Sequence, residues 1–138
     1  MLEIRPGEPR DLDEITAIQT ASPEAAAWPA ADYLPYDLRV AACENRVAGF
    51  LAARGVAEGE FEILNLAVAP EFRRRGFGRA LMESFLKGIR GDVFLEVRNS
   101  NSEAREFYKS LGFQEVTLRQ SYYTAPPEAA IVMKFHSC

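Results

Sequence analysis

The stretch LAVAPEFRRRGFGRAL (Leu66 to Leu81) carries four arginines and two glycines in a chain whose formal net charge is −4. The apolar run at its start is typical of a β-strand that Pro70 ends, and the residues after Gly78 have the apolar spacing of an α-helix. Glycines allow a tight turn and a close approach of the backbone to an anion. A helix N-terminus attracts anions, and arginines add forked donors. The order strand, glycine turn, helix therefore predicts a pyrophosphate-binding loop.

The loop matches neither of the two common phosphate motifs, and two other interpretations of its charge stay open. No Gly-Lys-Ser/Thr follows as in a Walker A loop, and Leu81 stands where the dinucleotide fingerprint needs a third glycine. The loop could be a solvated basic helix start that binds nothing. It could also be a nucleic-acid patch, but the acidic total and the absence of basic stripes elsewhere argue against a nucleic-acid partner.

Strand and helix patterns alternate outward from this stretch and predict an α/β or α+β protein with a mixed sheet. The D-x-x-E pair Asp11 and Glu14 predicts the start of one helix, and the S-x-x-E pair Ser100 and Glu103 predicts the start of another. A turn at residues 44–46 predicts a hairpin, and Gly112 fits a left-handed helix end. The predicted strands are LEIRP, LRVAAC, VAGFLAARGV, FEILNLAVAP, DVFLEVR, FQEVTLR and AAIVMKF.

Composition excludes several classes of protein. The chain has 138 residues, 48% hydrophobic and 26% charged, which is typical of one soluble globular domain. We expect no secretory signal and no membrane span, and two scattered cysteines predict a reducing cytoplasm. A single histidine, His136, leaves no His/Cys cluster for a transition metal and no Ser-His-Asp triad. The chemistry must use carboxylates, tyrosine, backbone groups or a cofactor.

Two longer motifs resemble the GNAT family of N-acetyltransferases over roughly residues 61–118. The family's acyl-CoA loop has Gln or Arg, then Gly three residues later, then Gly or Ala two residues after that. The resemblance implies a GNAT-like mixed, mostly antiparallel twisted sheet flanked by about four helices, in one domain over 1–138. It also implies acetyl-CoA as co-substrate and no metal. Arg73, Gly76 and Gly78 meet the first motif, and Asn101, Ala104, Tyr108, Gly112 and Phe113 meet the second, N-x-x-A-x-x-x-Y-x-x-x-G-F.

The resemblance implies which residues hold acetyl-CoA. Backbone groups before the loop would pair with the pantetheine amides and polarise the thioester carbonyl, and the loop would hold the pyrophosphate. Asn101 would contact the pantetheine arm, although its position alone also suits a helix cap. The implied cofactor-binding set is Leu66, Ala67, Val68, Arg73, Arg74, Arg75, Gly76, Phe77, Gly78, Arg79 and Asn101.

A narrower resemblance connects the chain with RimI-type enzymes, which acetylate the N-terminal alanine of a small-subunit ribosomal protein. It rests on LEVRNSN at residues 95–101, on the tyrosine pair at 122–123 and on the ending EAAIVM. Two positions differ from this group. The group usually ends in E-D-A-x-x-M, and Ala129 stands here in place of the aspartate. The group also has a tryptophan directly after a proline, whereas Trp28 directly precedes Pro29. The implied substrate-binding residues are Trp28, Tyr122 and Tyr123; the tyrosines, on the predicted loop before the last strand, could equally be packing residues.

Glu96 is the candidate general base. Alternation places Val93, Leu95 and Val97 on one face of the predicted strand, and Phe94 with Glu96 on the other. Partial desolvation beside Phe94 would raise the pKa of this carboxyl toward a useful value, whereas the alternative is a solvent-facing glutamate. The resemblance implies the catalytic role, because the Glu of LEVR is the base in RimI-type enzymes.

Tyr108 is the candidate acid. Its place on an apolar helical stripe with Phe107 and Leu111 is also that of an ordinary core tyrosine. In GNAT enzymes the matching tyrosine protonates the coenzyme A thiolate. A phenol with a pKa near 10 facing a thiol with a pKa near 8.5 transfers its proton only with geometric help, so hydrogen-bond stabilisation is the safer expectation.

The pKa of the acceptor favours an N-terminal substrate. An α-amine with a pKa of about 7.7–8 is partly neutral in the cell, whereas lysine at about 10.4 is almost wholly charged. The gap of roughly 2.5 units makes an N-terminus about 3.4 kcal/mol easier to deprotonate. A lone carboxylate, acting directly or through water, therefore suits an α-amine better than a lysine.

These observations predict an acetyl-CoA-dependent N-acetyltransferase that acts on the N-terminal α-amine of a protein by direct amine attack on the thioester. The RimI-like acceptor would be a ribosomal small-subunit protein with N-terminal alanine. One alternative is a GNAT enzyme for a small-molecule amine or lysine, and another is a non-catalytic acyl-CoA-binding sensor. We expect a cytoplasmic monomer or weak homodimer without nucleic-acid or membrane partners.

Overall fold

The computed structural model describes residues 2–22, 28–124 and 127–137. In this part of the chain the sheet order is β1-β2-β3-β4-β5-β7-β6, and every strand pair with a defined register is antiparallel except β4 with β5. This confirms the mixed, mostly antiparallel sheet, with three α-helices where about four were expected. The elements are β1 (Leu2–Pro6), α1 (Leu12–Thr20), β2 (Asp37–Cys43), β3 (Arg46–Ala57), β4 (Glu60–Val68), α2 (Phe77–Lys87), β5 (Gly91–Arg98), α3 (Ser102–Ser110), β6 (Gln114–Thr124) and β7 (Pro127–Ser137).

The chain divides into two compact units. The first comprises Met1–Arg54 and Leu64–Ile89, and the second comprises Gly55–Ile63 and Arg90–Cys138. In the first unit, β1, β2 and β3 pair in sequence, and β2 and β3 form the predicted hairpin. Its turn residues Glu44 and Asn45 have φ of 54° and 63°, as a type I′ turn requires. The hairpin prediction is therefore confirmed.

The D-x-x-E pair predicted the start of α1 correctly, but the side-chain cap that this pattern implies is absent. Asp11 occupies the N-cap position without bonding the helix, because its buried carboxylate binds the Arg5 guanidinium through two contacts of 2.9 Å and accepts from Glu8 N at 2.8 Å. This pairing with Arg5 lowers the pKa of Asp11. Glu14 Oε2 accepts from Val47 N at 2.8 Å, at the start of β3. Both carboxylates therefore join α1 to the strands.

The second unit contains the three strands β5, β7 and β6, paired antiparallel in that order, with the start of β4 parallel to β5. On α3, Asn101 is the cap in place of the predicted Ser100, since its Oδ1 accepts from Ala104 N at 3.2 Å. Gly112 ends the helix at φ 103°, which confirms its predicted left-handed conformation. The strand β6 extends to Thr124, so residues 122–123 lie in a strand and not in the predicted loop.

Candidate functional site

The arginine-glycine loop connects β4 to α2 within the first unit. A 3-10 turn over Pro70–Phe72 follows β4, Arg74 has φ 62°, and Gly76 has φ 84° immediately before the first residue of α2. No side chain in the described ranges caps α2, and its first turn holds no acidic residue. The helix N-terminus therefore presents backbone donors and the positive end of the helix dipole, an arrangement that suits an anion.

Arginines flank this helix start on both sides. Arg74 and Arg75 precede α2 and Arg79 lies in its first turn, and all three are exposed, as is Arg73. The Arg75 guanidinium lies over the rings of Phe72 and Phe77, 5.3 Å from each centroid, and both rings are buried. The Phe77 side chain therefore belongs to the core, and a ligand would meet its backbone.

The Arg73 guanidinium donates three hydrogen bonds to protein acceptors. Its Nε donates to Val68 O at 3.1 Å. Its Nη2 donates to Ser22 Oγ at 3.0 Å and to Ala21 O at 3.3 Å. This arginine therefore connects the loop with the C-terminal end of α1, a contact that no local sequence pattern indicates.

The last residues of β4 are held by a close approach of β3. Ala69 N donates to Ala48 O at 2.7 Å, and a Cβ on Gly49 would lie 2.8 Å from Ala67 O. Such a distance is shorter than real contacts allow, so glycine is required at position 49. The candidate pantetheine-pairing residues Leu66, Ala67 and Val68 are thus fixed by backbone contacts, with Ala67 buried and the other two half-buried.

Trp28, Tyr33 and Tyr36 form an aromatic shelf in the first unit. The Trp28 ring stacks on Tyr33, with centroids 5.7 Å apart, and meets Tyr36 edge-on at 6.3 Å. The Arg54 guanidinium lies 5.8 Å from the Trp28 ring centroid. Since Trp28 is held against Tyr33 and beside a cation, it presents a rigid, partly exposed aromatic surface.

A partly buried hydrogen-bond network connects the shelf to α1 and β4. Burial raises the pKa of the Tyr33 hydroxyl, which stays neutral and donates to Gln19 Oε1 at 2.7 Å. Gln19 Nε2 donates to Trp28 O at 2.9 Å, and Asn65 Nδ2 donates to Gln19 Oε1 at 3.1 Å. Sequence reasoning missed Tyr33, Gln19 and Asn65, because they are separated along the chain and belong to no motif.

Glu96 lies on β5 in the second unit. Val93, Leu95 and Val97 are buried, whereas Glu96 is half-buried, as the predicted alternation requires. The Glu96 side chain is 16% exposed, its Oε2 is shielded from solvent, and its Oε1 accepts from Arg119 Nη1 at 2.7 Å. Sequence reasoning missed Arg119, which reaches this carboxylate from β6, two strands away in the sheet order.

Tyr108 lies on α3 among aromatic rings of the same unit. It is half-buried, 5.3 Å from the Phe107 centroid and 5.7 Å from the Phe113 centroid, edge to face in both cases. About two turns earlier, Asn101 caps the helix through Oδ1, which confirms the helix-cap alternative. The candidate acid and the candidate pantetheine contact therefore lie on one element. The side chains of Tyr122 and Tyr123 lie outside the described residues.

Glu128 on β7 holds the turn that precedes α3. Its carboxylate accepts from Ser100 N and pairs with Arg98 Nη1 at 3.5 Å, while Asn99 N donates to Ala129 O at 3.0 Å. The hydrogen bonds from Ser100, with the Arg98 guanidinium, hold the pKa of Glu128 below its usual value. This glutamate therefore fixes the start of the helix that carries Tyr108.

Glu128→Ala is expected to lower resistance to urea at about pH 7 and to have a smaller effect at about pH 3. A carboxyl whose pKa is lower in the folded protein stabilises the fold above its unfolded pKa, about 4.3, and this contribution is lost as the pH falls through the folded value. Urea unfolding at both pH values measures the difference. Glu58→Ala, at an exposed turn position, is the control and should have little effect at either pH. An equal loss at both pH values would contradict the role of the charge.

The described residues contain no group of three or more His, Cys, Asp and Glu side chains that could hold a metal ion. None of the helices in residues 2–22, 28–124 and 127–137 has the length and apolar content needed to cross a bilayer.

Comparisons with known proteins agree on one family. The family model for the acetyltransferase (GNAT) domain matches residues 35–115. The ribosomal protein bS18 alanine N-acetyltransferase of Salmonella typhimurium is 43% identical over 96 residues, which cover 65% of this chain and 64% of that protein. The chain thus spans less than two thirds of the length of this curated relative.

Solved structures extend the likeness to the whole chain. The crystal structure of the ribosomal-protein-S18-alanine N-acetyltransferase from Escherichia coli has a TM-score of 0.83 and 32% identity, and covers 100% of this chain and 96% of that one. A GNAT family acetyltransferase from Elizabethkingia anophelis, solved with acetyl-CoA bound, has a TM-score of 0.78 and 20% identity, and covers 98% and 97% of the two chains. The second likeness shows the fold alone.

Proposed function

The chain belongs to the GNAT family of acetyltransferases, and from that membership we propose that it transfers an acetyl group from acetyl-CoA to the N-terminal α-amine of a protein. One observation carries the cofactor half of this proposal: α2 begins behind a left-handed glycine, without a side-chain cap in the described residues, beside three exposed arginines. The acceptor half is supported by the similarity to bS18-alanine N-acetyltransferases. The proposal takes 1–138 as one acetyltransferase domain, cytoplasmic, and a monomer or weak homodimer.

Acetyl-CoA would be bound by backbone and side-chain donors of different kinds. The first N–H groups of α2 bind the pyrophosphate together with Arg74, Arg75 and Arg79. Backbone groups of residues 66–68 pair with the pantetheine amides, and Asn101 adds a contact to the same arm. The buried Phe77 ring contributes by fixing the helix start rather than by touching the cofactor.

The reaction needs a base for the acceptor amine and a hydrogen-bond donor for the departing thiolate. Glu96 takes a proton from the acceptor ammonium, directly or through water, and the neutral amine then attacks the thioester carbon. The carbon–sulfur bond breaks as the nitrogen loses a second proton, and one proton ends on the sulfur of coenzyme A. Arg119 holds one oxygen of that carboxylate in place. Tyr108 donates a hydrogen bond to the departing thiolate, which stabilises the negative charge that develops on sulfur.

The acceptor site would include Trp28, Tyr122 and Tyr123. The rigid stacking of Trp28 on Tyr33 supports this role, because a recognition surface that is already ordered loses little entropy on binding. An α-amine is the acceptor that a single carboxylate deprotonates most easily, as its pKa lies about 2.5 units below that of lysine. Similarity to bS18-alanine N-acetyltransferases favours a ribosomal protein with N-terminal alanine as the acceptor.

A peptide assay tests the proposal. The protein is incubated with acetyl-CoA and peptides that differ only at residue one, with an N-terminally blocked peptide containing lysine and with a panel of small amines. We expect acetylation of the α-amine, strongest for alanine, and slower thiol release from Tyr108→Phe. Acetylation confined to lysine or to small amines would contradict the acceptor, and coenzyme A binding without any thiol release would indicate a non-catalytic binder.

A further inference from the structure

We propose that Arg73 is a positioning residue that couples the arginine-glycine loop to the aromatic shelf through the C-terminal turn of α1, and that it does not contact acetyl-CoA. The proposal rests on the proposed function for the nature of the two ligands. It replaces the cofactor-binding role that the sequence motif implies for this arginine. Its basis is that the Arg73 guanidinium donates to three protein acceptors, which lie at the ends of β4 and α1.

The guanidinium of Arg73 joins two elements at their ends. Val68 is the last residue of β4, from which the loop departs, and its carbonyl accepts from Nε at 3.1 Å. Ala21 is the C-cap of α1, and Ser22 follows it; both accept from Nη2. A cation at the carboxyl end of a helix is stabilised by the helix dipole. The planar fork of the guanidinium fixes the distance between the loop and α1.

The same helical turn holds the aromatic shelf. Gln19 lies two residues before Ala21, donates to Trp28 O at 2.9 Å, and accepts from the Tyr33 hydroxyl at 2.7 Å. Tyr33 is fully buried, and the Trp28 ring stacks on it. A displacement of the last turn of α1 therefore moves both the backbone of Trp28 and the hydroxyl beneath its ring.

Hydrogen bonds thus lead from the loop to Trp28, with donor–acceptor distances between 2.7 and 3.3 Å. The step from Ser22 to Gln19 is a backbone bond, in which Ser22 N donates to Gln19 O at 3.0 Å. When coenzyme A orders the loop, Arg73 transmits the change to the last turn of α1, and Gln19 transmits it to the shelf. Coupling between two binding sites is reciprocal, so an acceptor seated on the shelf would favour the same loop conformation.

Trp28 is the single tryptophan of the chain, so its fluorescence reports on the shelf alone. We expect coenzyme A to change the emission of the native protein, and Arg73→Ala to abolish this change while its Kd for coenzyme A, measured by calorimetry, stays within about twofold. Arg73→Lys should restore part of the change, because an ammonium can reach some of the three acceptors. Arg79→Ala should show the opposite pattern, with a raised Kd and a full emission change at saturation.

Two outcomes would overturn the proposal. One is a native emission that does not respond to coenzyme A. The other is an Arg73→Ala protein that behaves like Arg79→Ala, since this would make Arg73 a cofactor ligand. Neither measurement needs an acceptor or turnover. The test therefore remains valid if the proposed acetyl transfer fails, and the peptide assay reports that failure separately.

Kinetics provide a second test that a merely structural role would not satisfy. Arg73→Ala should raise the KM for the acceptor peptide about fivefold, with kcat and the Kd for acetyl-CoA in the absence of acceptor within about twofold. Ser22→Ala removes one of the three acceptors and leaves the arginine in place, so it should raise the acceptor KM in the same direction by less. A raised KM for acetyl-CoA with an unchanged acceptor KM, in either variant, would contradict the coupling.

Discussion

Glu96→Gln is expected to lower kcat for acetyl transfer by about 10²–10⁴-fold while the Kd for acetyl-CoA stays within about twofold. The amide cannot take the proton that the acceptor ammonium must lose before it attacks. It keeps the shape of the carboxylate and retains an oxygen for Arg119, which lies 2.7 Å from Oε1 of the native residue. The loss should therefore report on proton transfer and not on collapse of the site. Thiol release, together with the mass of the peptide product, measures it.

The pH profile separates a lost base from a damaged fold. Without Glu96, the rate depends on the fraction of acceptor that is already neutral, so it should rise about tenfold per pH unit up to the α-amine pKa of about 8. Glu106→Gln, an exposed glutamate on α3, is the matched control and should leave kcat unchanged. A kcat for Glu96→Gln within about threefold of the native value would exclude Glu96 as the base.

The predictions from sequence succeeded where the signal and its structural cause lie close together in the chain. The turn predicted over residues 44–46 is found at Glu44 and Asn45, because two neighbouring residues at positive φ suffice to close a hairpin. Gly112 was predicted for the same local reason. The alternation that half-buries Glu96 was visible because a strand repeats every two residues.

The sequence predictions of helix caps failed where a group distant in the chain bound the atoms that the cap would use. Asp11 and Glu14 have the spacing of a capping box, but Arg5 and the backbone of Val47 bind their carboxylates instead. Ser100 and Glu103 have the spacing of a capping box, in which Glu103 would accept from Ser100 N. Glu128 of β7 accepts from Ser100 N instead. A pattern of spacing contains no information about tertiary partners, so such competition is invisible before the fold is known.

The candidate site shows the same division. The family motif identified the loop and Arg73 within it, but it could not reveal that Arg73 binds Ala21 and Ser22, because these two acceptors lie about fifty residues earlier in the chain. Arg119 was missed because only the strand order β5-β7-β6 and the length of an arginine side chain bring it to Glu96. A motif can therefore indicate which residues form a site, whereas their hydrogen-bond partners can be identified only once the strand order is known.

Gly76→Val is expected to raise the Kd for acetyl-CoA by about 5- to 30-fold. Gly76 has φ 84° directly before α2, and a left-handed conformation costs a residue with a Cβ about 1–2 kcal/mol. Valine can avoid this cost in the unbound protein by leaving the left-handed region, and binding must then restore it. Calorimetry with coenzyme A measures the affinity, and kcat at saturating acetyl-CoA should change little.

Gly76→Asn distinguishes the loss of the left-handed backbone conformation from steric obstruction by an added side chain. No atom lies within 4 Å of a Cβ built at this position, so neither variant collides with the protein. Asparagine tolerates the left-handed region, and its Kd should stay within about threefold of the native value. Gly55→Val, at an exposed position of β3 with no neighbouring atom, is the control for adding a β-branched side chain and should leave the Kd unchanged. If asparagine weakens binding as much as valine, the side chain itself blocks the anion; if neither variant weakens it, the start of α2 does not hold the pyrophosphate.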